Sequence, residues 1–305
     1  MSSSPPEGLS VRRATVDDAP AINELITAAD MAVQGWTESS EPELLGWWRM
    51  MDLEQNSWAL HDDTEVRAYA VLFVHGDTAE LDGFVHPDHQ GRGLGAWLVA
   101  RAEERARELG KSKLHGYSLA GDARAHALFE QFGMRELRRF YRMVIDLEEP
   151  PPPPEWPDGL RVETFEPDDA QAFHTAMGEA FADEWGFVTM PFEEWREMRL
   201  VKDPDFDPTL WFLVRDGDEI AAVMRNEPDR SGAGFVGALG VRKPWRKRGL
   251  ALALLHHAFA EFYRRGKRRV ALGVDSENPT GATRLYERAG MHVAFEVVTY
   301  GKELE

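Results

Sequence analysis

No cysteine occurs in the 305-residue chain. Disulfide frameworks, thiolate zinc sites, iron–sulfur clusters and a cysteine nucleophile are thereby excluded, so no acyl group can ride on the protein as a thioester. A run of about 18 apolar residues is also missing, and the opening MSSSPPEG lacks the basic stretch and apolar core of a signal peptide. These absences imply a soluble, cytoplasmic protein without a membrane partner. Positive charge is scarce as well, with 35 Lys and Arg against 53 Asp and Glu for a net −18. The deficit is −11 over residues 1–150 and −7 over the remainder, so neither half is a basic module. Nucleic acid is excluded as a general partner, because neutralising phosphates requires a basic surface. A cationic or neutral small molecule fits better. What is present is ordinary for a folded protein: 43% hydrophobic residues, enough for a sizeable core, in a length that implies two domains.

Five consecutive prolines, Pro150 to Pro154, can be neither helix nor central strand and read as a stiff spacer. The same text recurs on either side of it. Gly8-Leu9 matches Gly159-Leu160 and Asp17-Asp18-Ala19 matches Asp168-Asp169-Ala170, while Trp58 matches Trp211 and Gly93 matches Gly249. The offset drifts from 151 to 157 along the chain, as loop insertions would cause. The expected organisation is therefore an N-terminal domain over 1–149, a Pro-rich linker over 150–158 and a C-terminal domain over 159–305, two copies of one mixed α/β fold. Each copy reads as a short strand, Asp-capped helices, a hairpin, a third strand (Ala79–Val85; Gly234–Val241), a glycine-rich turn, a long helix, a further strand (Lys113–Leu119; Arg269–Val274), a short helix and a closing strand.

The glycine-rich turns carry the chemistry. Gln90-Gly91-Arg92-Gly93-Leu94-Gly95-Ala96 and Arg246-Lys247-Arg248-Gly249-Leu250-Ala251-Leu252 both sit between a strand and the long helix. Free backbone N–H groups at a helix start, with small residues admitting close approach, suit a pyrophosphate, although such turns also serve merely to start helices. Competing phosphate motifs fail. Gly110-Lys111-Ser112 mimics the end of a Walker loop, yet the position that should hold its first glycine is Arg105. Gly91, Gly93 and Gly95 lack the spacing and the strand–turn–helix start of a dinucleotide fold.

Together with Glu277-Asn278-Pro279-Thr280-Gly281-Ala282-Thr283-Arg284-Leu285-Tyr286-Glu287-Arg288-Ala289-Gly290-Met291, the turns resemble the two ordered motifs of the GCN5-related N-acetyltransferase (GNAT) family, each appearing once per copy. The resemblance implies tandem GNAT folds using acetyl-CoA as cosubstrate, with the turns holding its pyrophosphate. It also implies that the strand ends Phe84-Val85 and Leu239-Gly240-Val241 pair with the pantetheine arm and donate an N–H to the thioester carbonyl.

A tyrosine of the second motif commonly protonates the departing thiolate in this family. The second copy has Tyr286 there; the first has Phe129, and Asp122 where the second has Asn278. The first copy is accordingly expected to be catalytically degenerate. A strand glutamate, the usual base, is missing from Gly234-Phe235-Val236-Gly237-Ala238-Leu239, where Phe235 takes the place of the glutamate of tandem members active in the second copy. The first copy carries Glu80 and Asp82 on its strand but not the tyrosine. In Asp183-Glu184-Trp185 we take Glu184 as the candidate acidic group near the acceptor, so the candidate catalytic set is Tyr286, Asn278 and Glu184. The histidines form no convergent set, and no metal is assigned. The reading is an acetyltransferase that moves an acetyl group from acetyl-CoA to a primary amine of a small molecule, as a monomer or homodimer. Its rivals are a non-catalytic acyl-CoA sensor and an enzyme acting on protein lysines or N-termini.

Overall fold

The computed structural model describes residues 5–49, 51–63, 65–278 and 280–305; Met1–Ser4 and Pro279 of the second motif lie outside the described residues. The chain divides into two units, Met1–Arg139 with Glu296–Glu305 and Phe140–Phe295.

In unit 1 the order is β1 (Ser10–Arg12), α1 (Ala19–Gln34), α2 (Glu41–Trp48), α3 (Leu53–Asn56), β2 (Ser57–His61), β3 (Val66–His75), β4 (Thr78–Val85), α4 (Leu94–Glu108), β5 (Lys113–Leu119) and α5 (Ala123–Gln131). Next comes β6 (Arg135–Asp146), which crosses into unit 2. That unit continues with β7 (Leu160–Thr164), α6 (Ala170–Phe181), α7 (Phe192–Arg196), β8 (Trp211–Asp216), β9 (Glu219–Arg230), β10 (Ala233–Val241), α8 (Leu250–Arg264), β11 (Arg269–Asp275) and α9 (Ala282–Arg288). The final strand, β12 (His292–Glu303), returns to unit 1.

The sheet of unit 1 runs β1-β2-β3-β4-β5-β12 and that of unit 2 runs β6-β11-β10-β9-β8-β7. In the structure the two units divide within β6, and the proline run expected as the linker lies inside unit 2. Phe140–Asp146 of β6 lies antiparallel to β11, and Val297–Glu303 of β12 lies antiparallel to β5. Each last strand thus completes the sheet of the other copy. Burial holds the arrangement: Met143 and Val144 are 0% and 3% exposed in the core of unit 2, and Val298 is 0% exposed in that of unit 1.

Sequence periodicity explains the layers. Along α8 the buried residues Leu250, Leu254, Leu255, Ala258, Phe259 and Phe262 recur at helical spacing and meet one face of the sheet. Each large side chain removed from water there contributes roughly 1.5–3 kcal/mol before chain entropy is counted. Gly234 is required beneath Phe262, since a Cβ there would run into the ring. On the other face α6 closes over β10 at Gly240, whose Cβ would lie 2.7 Å from that of Ala180.

Candidate active site

Parallel pairing of β10 with β11 extends only over Gly234–Val236, against Val270–Leu272, whereas β10 runs on along β9 to Val241. A register shift between Val236 and Ala238 marks where it turns away. Leu239, Gly240 and Val241 therefore keep one backbone edge without a strand partner. Unit 1 repeats the geometry: β4 pairs with β5 over Thr78–Leu81 and then continues to Phe84 and Val85 on β3 alone.

Beyond each splayed end the chain makes a short helical turn and enters the long helix through a glycine with positive φ, Gly93 at 82° and Gly249 at 90°. No side chain caps either helix. The first bonds into the helices are made by Trp97 and Ala253, so the amides of Leu94, Gly95 and Ala96, and of Leu250, Ala251 and Leu252, have no intrahelical partner. Gly91 also has a positive φ, 76°, and Lys247 takes the corresponding left-handed position at 62°. A non-glycine residue there costs about 1–2 kcal/mol.

In unit 2 these features border a cavity of about 880 Å³. It is lined by Leu239–Val241, Lys247, the start of α8, and Glu184 and Tyr286. Tyr286 is 8% exposed, and burial, reinforced by the Glu184 charge, pushes its phenol above the ordinary tyrosine range. The hydroxyl stays protonated at neutral pH, as a proton donor must. Asn278 does not line the cavity but reaches it through Glu184, its amide donating to both carboxylate oxygens at 2.9 and 2.8 Å. These two residues, 94 apart in sequence, are brought together by the turn that follows α6 and the one that follows β11.

Of the expected arginines, Arg246 lines the cavity and Arg248 and Arg92 do not. The N–H of Arg246 is spent on the Lys243 carbonyl, and its guanidinium braces the site by donating to the carbonyls of Val241 and Ala180 at 3.0 and 2.9 Å. Arg248 lies outside the cavity lining, 3.6 Å from Asp216. Arg92 likewise does not line the unit 1 cavity and lies against His89. Asp183 is held below the usual carboxylate range by Lys243, with Arg246 assisting, and so fastens the turn that carries Glu184. Sequence reasoning passed over Arg284 and Arg288, one helical turn apart on α9 and both on the cavity wall. Their i,i+4 spacing was the available signal.

The unit 1 cavity, about 770 Å³, has Phe129 in the place of Tyr286. The ring of Phe129 packs over Gly116, where a Cβ would come within 2.8 Å of it. Gln90, Gly91, Gly93–Ala96 and the strand end Phe84–Val85 all line this cavity.

Orphan amides at a helix start, small residues around them and a free strand edge in one cavity fit a pyrophosphate with an extended amide-bearing arm. The acetyltransferase (GNAT) family pattern matches residues 20–134 and 142–291. A mycothiol acetyltransferase of Thermobispora bispora is 34% identical over 238 residues, covering 76% of this chain and 78% of the relative. One of Catenulispora acidiphila is 28% identical over 301 residues, covering 92% and 94%. Among solved structures, a GCN5-related N-acetyltransferase from Sphaerobacter thermophilus superposes with a TM-score of 0.89 at 38% identity, covering 99% of this chain and 98% of that one. A tandem GNAT protein of the clavulanic acid biosynthesis pathway shares the fold, with a TM-score of 0.73 at 18% identity and coverage of 97% and 99%. The chain belongs to the GNAT acetyltransferase family, whose members use acetyl-CoA.

Proposed function

We propose that unit 2 transfers an acetyl group directly from acetyl-CoA to the primary amine of a small-molecule acceptor, and that unit 1 binds acetyl-CoA without transferring it. The reading is carried by one observation: the orphan amides of Leu250–Leu252, the free edge of Leu239–Val241, Glu184 and Tyr286 line a single cavity. In the proposed step the uncharged amine forms the new C–N bond to the acetyl carbon and the C–S bond breaks. The nitrogen gives up one proton to solvent, while the thiolate takes one from Tyr286, which regains it from solvent. Backbone N–H groups of the strand end stabilise the charge that develops on the carbonyl oxygen. Glu184, fixed by Asn278, holds the acceptor nitrogen.

Similarity to mycothiol acetyltransferases favours, within this reading, an acceptor of the mycothiol type. Phe235 argues against transferring their substrate unexamined. The test is release of CoA thiol with a panel of small primary amines, the acceptor of mycothiol acetyltransferases and a lysine peptide. Turnover with small amines supports the reading. Binding of acetyl-CoA with no turnover on any amine would make the chain a sensor, and turnover on the peptide alone would make it a protein-modifying enzyme.

A further inference from the structure

The cavity wall of unit 2 carries positive charge that the protein itself does not neutralise. Four cations stand there, Arg246, Lys247, Arg284 and Arg288, against the two carboxylates of Asp183 and Glu184. Arg246 is ion-paired with Asp183 at 3.4 Å. Lys247, Arg284 and Arg288 have no ion-pair or hydrogen-bond partner among the described residues. Arg284 and Arg288 stand one turn apart on α9, where like charges repel. In a chain of net charge −18, three cations left without a carboxylate on one wall call for an anion from outside.

The duplication supplies an internal comparison. With Tyr286 matched to Phe129, Arg284 and Arg288 fall on Ala127 and Gln131 of α5, and with Gly249 matched to Gly93, Lys247 falls on Gly91. Those three residues also line the unit 1 cavity, and none is charged. That wall carries one arginine, Arg124, which donates to the Gln90 amide oxygen, together with His89 and three aspartates, Asp30, Asp82 and Asp122. The orphan amides, by contrast, are common to both units. The amides therefore account for a group that both cavities take, and the cations for one that only unit 2 takes. Lys247 points the same way, since it holds φ at 62° where unit 1 has glycine, a conformation that is costly for a residue with a side chain.

Resting on the reading that both units bind acetyl-CoA, we propose that Lys247, Arg284 and Arg288 recognise the 3′-phosphate of the CoA ribose, so that unit 2 selects CoA over 3′-dephospho-CoA and unit 1 does not. CoA carries two kinds of phosphate. The pyrophosphate suits the amides at the start of α8, whereas the 3′-phosphate is a terminal dianion able to accept several charged N–H bonds. Two guanidinium forks and an ammonium match that group, and a dianion between Arg284 and Arg288 offsets their repulsion.

The test is calorimetric titration of the full chain with CoA and with 3′-dephospho-CoA. Gly93→Val, which disrupts the unit 1 turn, isolates unit 2, and Gly249→Val isolates unit 1. In the Gly93→Val chain CoA is expected to bind at least about tenfold more tightly than 3′-dephospho-CoA, because hydrogen bonds between charged groups are the strong ones. In the Gly249→Val chain the two should agree within about twofold, since no such bonds are made there. Arg284→Gln and Arg288→Gln, each added to Gly93→Val, should weaken CoA at least about fivefold and leave 3′-dephospho-CoA within about twofold. Both arginines are exposed, so melting temperatures should stay at that of the Gly93→Val chain. Where Gly93→Val does not fold, the ratio of KM for acetyl-CoA to that for acetyl-3′-dephospho-CoA, with and without the arginine substitutions, carries the same expectation. Equal affinities in the Gly93→Val chain, arginine variants that weaken both nucleotides alike, or the same preference in the Gly249→Val chain each overturn the phosphate assignment while leaving the acetyl-CoA reading in place. A native chain that binds neither nucleotide overturns that reading, and this proposal with it.

Discussion

The most direct test of the transfer step is Tyr286→Phe. The ring of Tyr286 is buried in the core of unit 2 beside Leu285 and Met291, and no protein group among those described hydrogen-bonds its hydroxyl. Phenylalanine preserves that packing and removes only the proton source, so the stability change should stay within about 1 kcal/mol. General acid catalysis contributes typically about 10²–10⁴-fold, equivalent to roughly 2.7–5.4 kcal/mol of barrier. The kcat of Tyr286→Phe should fall by that factor. KM for acetyl-CoA should barely move, because the hydroxyl acts on a thiolate that exists only as the C–S bond breaks. Burial and Glu184 both raise the phenol above its ordinary range, so the native rate should show no loss of the acid form through neutral pH. The assay is thiol release with an acceptor the native protein acetylates, run beside a thermal melt. A folded Tyr286→Phe that turns over at the native rate would refute the assignment, leaving Tyr286 as a packing residue and solvent as the proton source.

Gly249→Val should abolish acetyl-CoA binding at unit 2 in a calorimetric titration while costing only about 1–2 kcal/mol of stability, because the residue must hold φ near 90° beside the orphan amides. Gly93→Val should leave the turnover of unit 2 within a few-fold, and a complete loss of rate in a folded protein would contradict the division of labour. A chain beginning at Glu155 should fail to melt cooperatively, since it lacks the β6 strand that covers β11; a sharp transition would argue against the exchanged strands.

The two glycine turns were legible because they are written in backbone requirements. Gly93 and Gly249 stand where φ must be positive, and small residues follow them where a ligand must approach helix amides. Such positions restrict the residue type strongly, so the letters reveal them. The strand exchange was not legible. Both β6 and β12 alternate in the ordinary way and would cover either β5 or β11, and sequence periodicity specifies a buried face without specifying a partner. The pairing of Glu184 with Asn278 joins two turns, each unremarkable in its own stretch of sequence. Asp30 was passed over for a related reason: on α1 it reads as a solvated helix residue, and only the fold carries it to the wall that Asp82 shares.

The same distinction explains how duplicated copies can diverge without losing the fold. Amides exposed at a helix start and a strand that leaves its neighbour persist through side-chain substitution, and both units retain them. The acceptor face has no such protection, because its properties reside in individual side chains. At one register position unit 1 has Glu80 and unit 2 has Phe235, and the strand neighbour of Phe235 on β9 is Glu227, ion-paired with Arg225 and Arg230. Unit 2 instead carries its acidic group on a turn, at Glu184, where Asn278 supplies the hydrogen bonds that hold it. The acidic groups of the two cavities therefore stand on different elements, Asp82 on β4 and Asp30 on α1 in one and Glu184 on a turn in the other, so a substitution in one set leaves the other in place.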